Sequence, residues 1–152
     1  MPRNFNFVFI LLIALTTGCA HQIQLTPDLD DLRNTSIEST INKTVAYYIS
    51  PADKATEVIT PGGGGDDVKY HPYKDTEAAL NTMLSKIFSR VYSIQNLDDS
   101  DFIERKNISY IFESTIKTHS SSDSAFTLPP TNFTFILTCK ATDNSGKKIW
   151  AQ

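Results

Sequence analysis

The sequence predicts an α+β fold in which one main amphipathic helix packs, in two layers, on a mixed or antiparallel sheet of about four strands. Three patterns lead to this prediction. Apolar side chains recur at helical spacing over residues 75–92, and residues 45–50 and 133–142 alternate apolar and polar side chains as strands do. The later strands follow one another across short turns, which favours an antiparallel meander.

The first predicted strand runs from Val45 to Ser50, and Pro51 ends it. A loop from Ala52 to Lys74 follows and contains the glycine run Gly62–Gly65. This run lacks the Lys and Ser/Thr of a phosphate-binding loop, so it predicts a segment of high backbone freedom and no phosphate site.

Tyr70, His71 and Tyr73 follow the glycine run and are the candidate partner-binding residues. An aromatic cluster beside a loop is typical of a partner-binding edge. The alternative is that the rings pack over the start of the next helix, and the sequence leaves both interpretations open.

The predicted helix begins with Asp75 as its N-cap and extends to about Tyr92. Its polar face carries only two cations, Lys86 and Arg90, whereas a helix that lies on a membrane has a strongly basic face. We therefore expect the helix to cover the sheet with its apolar stripe, which comprises Leu80, Met83, Leu84, Ile87, Phe88 and Val91.

The rest of the chain predicts short elements of the meander. They are a short strand at 91–97, a helical turn or loop at 98–107, a strand at 108–117, a serine-rich turn at 119–124, the long strand ending at Thr142, a turn at 143–146 and a return strand at 147–152. The return strand is shorter than its partner. Either a longer chain continues past Gln152, or a partner covers the exposed edge.

Composition excludes several classes of function. The formal net charge of −3 gives no basic patch for nucleic acid. The three histidines stand about fifty residues apart and no serine lies in a G-x-S-x-G turn, so the sequence predicts no enzyme, no metal and no cofactor. Cys139 lies in a strand, where it is either a reactive thiol or, as is more common, a small hydrophobe.

The amino terminus has the features of a secretion signal. Arg3 precedes an apolar run, Phe7 to Leu15, which as a helix spans about 13 Å and is too short to cross a hydrocarbon core of about 30 Å. Thr16-Thr17-Gly18 then lead into Cys19. This order resembles the lipobox of bacterial lipoproteins, although Thr16 stands where that family usually has leucine. The alternative is an ordinary secretory signal with a chance cysteine.

The lipobox resemblance implies a chain of three parts: a signal peptide at 1–18, a lipid anchor and tether at 19–44, and a periplasmic α+β domain at 45–152. It implies that Cys19 carries acyl chains such as palmitate and that Ala20 directs the protein to the outer membrane, facing the periplasm. The mature domain is similar in architecture to small accessory lipoproteins of curli secretion and penicillin-binding-protein activation.

These resemblances predict a non-catalytic binding or assembly module for envelope biogenesis, with the membrane and an envelope protein as partners. The alternatives are an envelope hydrolase and a carrier of a small apolar ligand.

Overall fold

A computed structural model describes residues 20–63, 66–121 and 132–152 of the chain. The strands are β1 (His21–Gln22), β2 (Ile41–Tyr48), β3 (Val58–Gly63), β4 (Asp66–Tyr70), β5 (Phe88–Ile94), β6 (Ile108–Ser121), β7 (Asn132–Asp143) and β8 (Lys148–Ala151). The helices are α1 (Leu29–Asn34), α2 (Pro51–Ala55), α3 (Pro72–Ile87) and α4 (Ser100–Arg105). The α+β class is confirmed, whereas the prediction of about four strands is too low.

The larger sheet has five strands in the order β5-β2-β6-β7-β8. Strand β2 is parallel to both β5 and β6, and β6, β7 and β8 are antiparallel to one another. Val45 and Ala46 in β2 are fully buried although adjacent strand residues point to opposite faces. Both faces of the sheet are therefore covered at β2.

Two helices cover these two faces. Helix α3 packs Leu80 and Leu84 against Val45 and Tyr47 on one face. On the other face, Phe102 and Ile103 of α4 pack on a cluster that comprises Ala46, Ile94, Ile108 and Ile111. The predicted two-layer arrangement is therefore a three-layer one at β2, because the short α4 closes the second face.

Helix α3 begins and ends earlier than predicted. Its N-cap is His71 and Pro72 occupies the first turn, where the missing N–H of proline costs nothing. Asp75 is thus a buried residue of the first turn and is not the cap. The chain becomes extended at Phe88, because residues 88–94 gain more from parallel pairing with β2 than from continuing the helix.

The predicted loop at 52–74 contains most of a second sheet, so that prediction is wrong. The sheet has the order β1-β4-β3, with β3 and β4 antiparallel. Pro61 is accommodated because β3 is an edge strand. Gly62 and Gly63 end β3, while Gly64 and Gly65 lie outside the described residues.

The segment predicted as a tether contacts the rest of the protein at several points. His21 and Gln22 pair with Val68 and Lys69 of β4. The Lys86 ammonium of α3 donates hydrogen bonds to the carbonyl oxygens of Arg33 and Thr35 at the C-terminal end of α1. Strand β2 begins at Ile41, four residues before the predicted start.

The terminal hairpin follows the prediction. The Asp143 carboxylate accepts hydrogen bonds from the backbone N–H groups of Ser145 (3.0 Å) and Lys147 (2.9 Å), and Gly146 has a φ of +81°. The Ser145 hydroxyl also donates a hydrogen bond of 2.6 Å to this carboxylate. That bond, followed by the backbone bond from Lys147, lowers the pKa of Asp143. The predicted turn at 119–124 is wrong for residues 119–121, which extend β6; residues 122–131 lie outside the described part of the chain.

Candidate functional site: an apolar groove beside the main helix

Two of the three candidate partner-binding residues, Tyr70 and Tyr73, are buried. The Tyr70 side chain is 1% exposed, and its ring lies 5.5 Å from the Phe133 ring and 5.9 Å from the Phe135 ring, between centroids. The Tyr73 hydroxyl accepts a hydrogen bond of 3.1 Å from the Ile116 backbone N–H. Both rings thus hold the small sheet and α3 against the long β6–β7 hairpin.

His71 is the partly exposed member of the predicted set. Its Nδ1 lies 3.1 Å from the Thr56 carbonyl oxygen, and its Nε2 lies 3.7 Å from a Glu57 carboxylate oxygen. Lys69 approaches the same carboxylate at 3.7 Å. These contacts join His71 to the chain before β3. The His71 side chain therefore contributes little to any exposed surface. Cys19, the predicted lipidation site, lies outside the described residues.

Helix α3 leaves part of the large sheet uncovered. It lies over β2, β5 and the nearest part of β6, whereas the small sheet covers the far end of the β6–β7 hairpin through Tyr70. At the other end of this hairpin, between α3 and β8, lies an open groove of about 470 Å³. That volume falls within the range of roughly 300–1,000 Å³ typical of small-molecule sites.

The groove lining is almost entirely apolar. Helix α3 and the strand starts beside it contribute Ile41, Leu80, Met83, Leu84, Ile87 and Phe88. Strands β6, β7 and β8 contribute Tyr110, Phe112, Cys139, Ala141, Ile149 and Trp150. No charged residue is among these groups, so an occupant would meet hydrocarbon, aromatic rings and one thiol.

A β-bulge shapes the wall of the groove that β8 forms. Ala141 pairs with Trp150 and Thr142 with Lys148, so Ile149 is an extra residue on β8. A bulge interrupts the alternation of side chains, and here both Ile149 and Trp150 line the groove. They are 47% and 45% exposed. Large apolar side chains left this open next to one another are a feature of binding surfaces.

Cys139 lies in the floor of the groove. Burial raises the pKa of its thiol above the ordinary value, so the thiol stays protonated near neutral pH. It therefore behaves as a small hydrophobe, the interpretation that its place in a strand favours. Its backbone pairs with Gln152, through hydrogen bonds of 2.9 and 3.0 Å.

A second, polar depression of about 280 Å³ lies where β2, β5 and β6 begin. It is lined by Asn42, Lys43, Thr44, Ser89, Arg90, Asn107 and Ser109. The Ser89 hydroxyl donates to the Lys43 carbonyl oxygen at 3.0 Å and so ties β5 to β2 there. Both charged residues of this depression are cations, and we call it the basic pocket.

The described residues bring together no metal site, since no three His, Cys, Asp or Glu side chains among them are arranged to hold an ion. His21, His71 and His119 lie in different elements: β1, the start of α3 and β6. In the same part of the chain, no helix has both the length and the apolar character needed to span a membrane.

Comparison of this chain with protein-family models, curated proteins and solved structures finds no match. The function is therefore inferred from the groove and the residues that line it. The sequence placed Ile149 and Trp150 in the return strand, whose exposed edge a partner could cover, but it did not predict the bulge or the groove that these residues line.

Proposed function

We propose that this protein is a non-catalytic binding module of the bacterial envelope, held at the outer membrane by lipid on Cys19, with the apolar groove as its binding site. The observation that carries the binding role is the groove itself: twelve lining residues, none of them charged, remain open between α3 and β8. The membrane anchor is supported by the order of Arg3, the apolar run and Cys19 at the amino terminus.

Two kinds of occupant fit a module of this type. An assembly module would receive an apolar segment of an envelope protein, whereas a carrier would hold a small apolar molecule. The concave shape and the volume of about 470 Å³ are those of a small-molecule site. This observation supports the carrier as a second candidate beside the assembly module, within the same non-catalytic class.

The anchor is tested by the intact mass of the protein extracted from membranes. We expect a chain that begins at Cys19 and carries acyl mass. A chain with an unmodified Cys19 thiol would contradict the lipoprotein assignment. It would not contradict the binding role of the groove, which has its own test.

The binding role is tested by native mass spectrometry of the membrane-extracted protein and two variants. Ile149→Lys places a charge in the groove, and Ile136→Lys is a matched control because Ile136 is also 47% exposed but lies outside the groove. We expect a co-purified apolar species, or a stoichiometric protein partner in a pull-down, with the wild type and the control. Retention of the same species by Ile149→Lys would contradict the assignment of the groove.

A further inference from the structure

We propose that the small sheet lies against a phospholipid bilayer, so that the protein is anchored at that end of the fold and presents the groove at the other end. The orientation rests on the proposed function, since it requires lipid on Cys19. It replaces the tether expected at residues 19–44 with a short, fixed connection.

The chain enters the small sheet within two residues of Cys19. Strand β1 begins at His21 and pairs in parallel with β4, and the Ile23 backbone N–H donates a hydrogen bond of 2.9 Å to the Lys69 carbonyl oxygen. Consecutive Cα atoms are about 3.8 Å apart, so the Cα of Cys19 can lie no more than about 8 Å from that of His21. Acyl chains on Cys19 would therefore hold this edge of the small sheet at the bilayer.

The segment that follows β1 offers no slack either. The Leu25 backbone N–H donates a hydrogen bond of 3.3 Å to the carboxylate of Asp75, in the first turn of α3. In the last turn of the same helix, Lys86 donates to the carbonyl oxygens of Arg33 and Thr35. Residues 20–35 are therefore attached at both ends of α3 and do not form a tether.

The outer face of the small sheet suits a lipid surface. The Thr60 hydroxyl is hydrogen-bonded to that of Ser120 in β6, so the neighbouring Ile59 points away from the large sheet. Ile59 is 59% exposed, more than any other large apolar side chain in the described part of the chain. Pro61, two residues further on, is also exposed. Asp67 pairs with Pro61 and is exposed too, which favours a zwitterionic bilayer over an anionic one.

The groove lies at the opposite end of the fold. Tyr70 of the small sheet packs on Phe133 near the start of β7, whereas Ala141 near its end lines the groove. Eight residues of β7 separate Phe133 from Ala141, which corresponds to about 26 Å of strand. Helix α3 gives a similar length, since its 16 residues span about 24 Å from the small sheet to Ile87 in the groove lining. A protein anchored by its small sheet therefore opens its groove to the aqueous space, away from the bilayer.

The experiment measures quenching of tryptophan emission by a lipid with a nitroxide on its head group. The acylated full-length protein is reconstituted in phosphatidylcholine vesicles with and without this lipid. Trp150, the single tryptophan of the sequence, reports on the groove end. Ile59→Trp/Trp150→Phe reports on the small sheet. Ile41→Trp/Trp150→Phe is the matched control, because Ile41 is an exposed isoleucine that lines the groove.

We expect the nitroxide lipid to remove at least about half of the emission of Ile59→Trp/Trp150→Phe and less than about a tenth of that of the wild type or the control, since about 26 Å separates the two ends. Insertion of about ten Gly and Ser residues between Ala20 and His21 adds a flexible span of roughly 17 Å. In Ile59→Trp/Trp150→Phe this insertion should reduce the quenching, because the small sheet can then leave the surface.

The intact mass of each protein separates the anchor from the orientation. With an acylated Cys19, equal quenching at both ends, or none at the small sheet, would overturn the orientation and leave the anchor in place. Quenching that the insertion leaves unchanged would overturn the short connection as its cause. A mass without acyl chains would overturn both the anchor and the orientation.

Discussion

Ala141 of β7 and Trp150 of β8 are paired across the antiparallel ladder, so the indole ring stands beside the groove whose floor Ala141 helps to form. This relationship results from the order of strands: β8 extends the sheet past the edge of α3. The same pairing leaves Trp150 45% exposed, which is unusual for so large an apolar side chain.

The Cys139 thiol should react slowly in the folded protein, because it is buried and protonated. We expect its alkylation by a maleimide at pH 7 to be at least about tenfold slower than in the urea-unfolded chain, and slower still when the groove is filled. Cys139→Ala provides the blank for any other labelling. Equal rates in the folded and unfolded chain would show that the floor of the groove is open to water.

Leu84 anchors α3 to the sheet and is 2% exposed. Leu84→Ala should lower the free energy of unfolding by about 2–5 kcal/mol, because it removes buried contacts and leaves a cavity. Ser85→Ala, on the exposed side of the same helix turn, should change it by less than about 0.5 kcal/mol. Urea unfolding followed by Trp150 emission measures both. Similar small effects for the two variants would contradict the packing of α3 described above.

Titration of the Tyr47 phenol makes the stability of the fold depend on pH in the alkaline range. Burial, followed by the nearby Glu77 carboxylate, raises the pKa of its phenol above 10.0, although a hydrogen bond with Ser93 opposes this. The folded state therefore favours the protonated phenol, and the stability that depends on it is present below pH 10 and lost as the pH rises through the folded-state pKa. The Tyr47 hydroxyl also donates a hydrogen bond of 3.2 Å to Glu77.

Tyr47→Phe removes this titration and should make the alkaline decrease in stability shallower. At neutral pH the variant should lose about 1 kcal/mol from the missing hydrogen bond. Thermal unfolding at intervals from pH 8 to 11 tests the claim. Parallel curves for wild type and variant would mean that Tyr47 does not contribute to the alkaline loss.

Asp75 joins the segment before α1 to the start of α3. Its carboxylate accepts hydrogen bonds from the backbone N–H groups of Leu25 and His71, both at 3.3 Å. Asp75→Ala should speed hydrogen exchange at residues 21–25 more than in the large sheet, because the loss is local. Asp30→Ala, at an exposed position of α1, should leave those amides unchanged. Uniformly faster exchange in Asp75→Ala would indicate a global effect instead.

The sequence predicted the elements whose side-chain pattern repeats over many residues. The stripe through Leu80, Leu84 and Ile87 identified α3, and the alternation from Phe133 to Ala141 identified β7. The C-terminal end of α3 was predicted less well, because pairing of residues 88–94 with β2 overrides their helical spacing. That pairing joins segments more than forty residues apart in the chain and leaves no local signal.

The small sheet and the groove were harder to predict for the same reason. Strands β3 and β4 are short, and β3 contains Pro61 and two glycines. Their pairing is supported by the contact of Tyr70 with Phe133 and Phe135. The apolar stripe of α3 is the pattern of a helix whose whole apolar face packs in a filled core. Only the position of β8 at the edge of the sheet shows that Met83 and Ile87 face an open groove.

Binding of hydrocarbon in the groove is tested most directly by Trp150 emission during titration with a dibrominated long-chain alcohol, because bromine quenches indole emission on contact and Trp150 lines the groove. We expect saturable quenching in the wild type and in Ile136→Lys, and a loss of at least about tenfold in affinity in Ile149→Lys. Quenching that rises linearly without saturation, or that is identical in all three proteins, would contradict it.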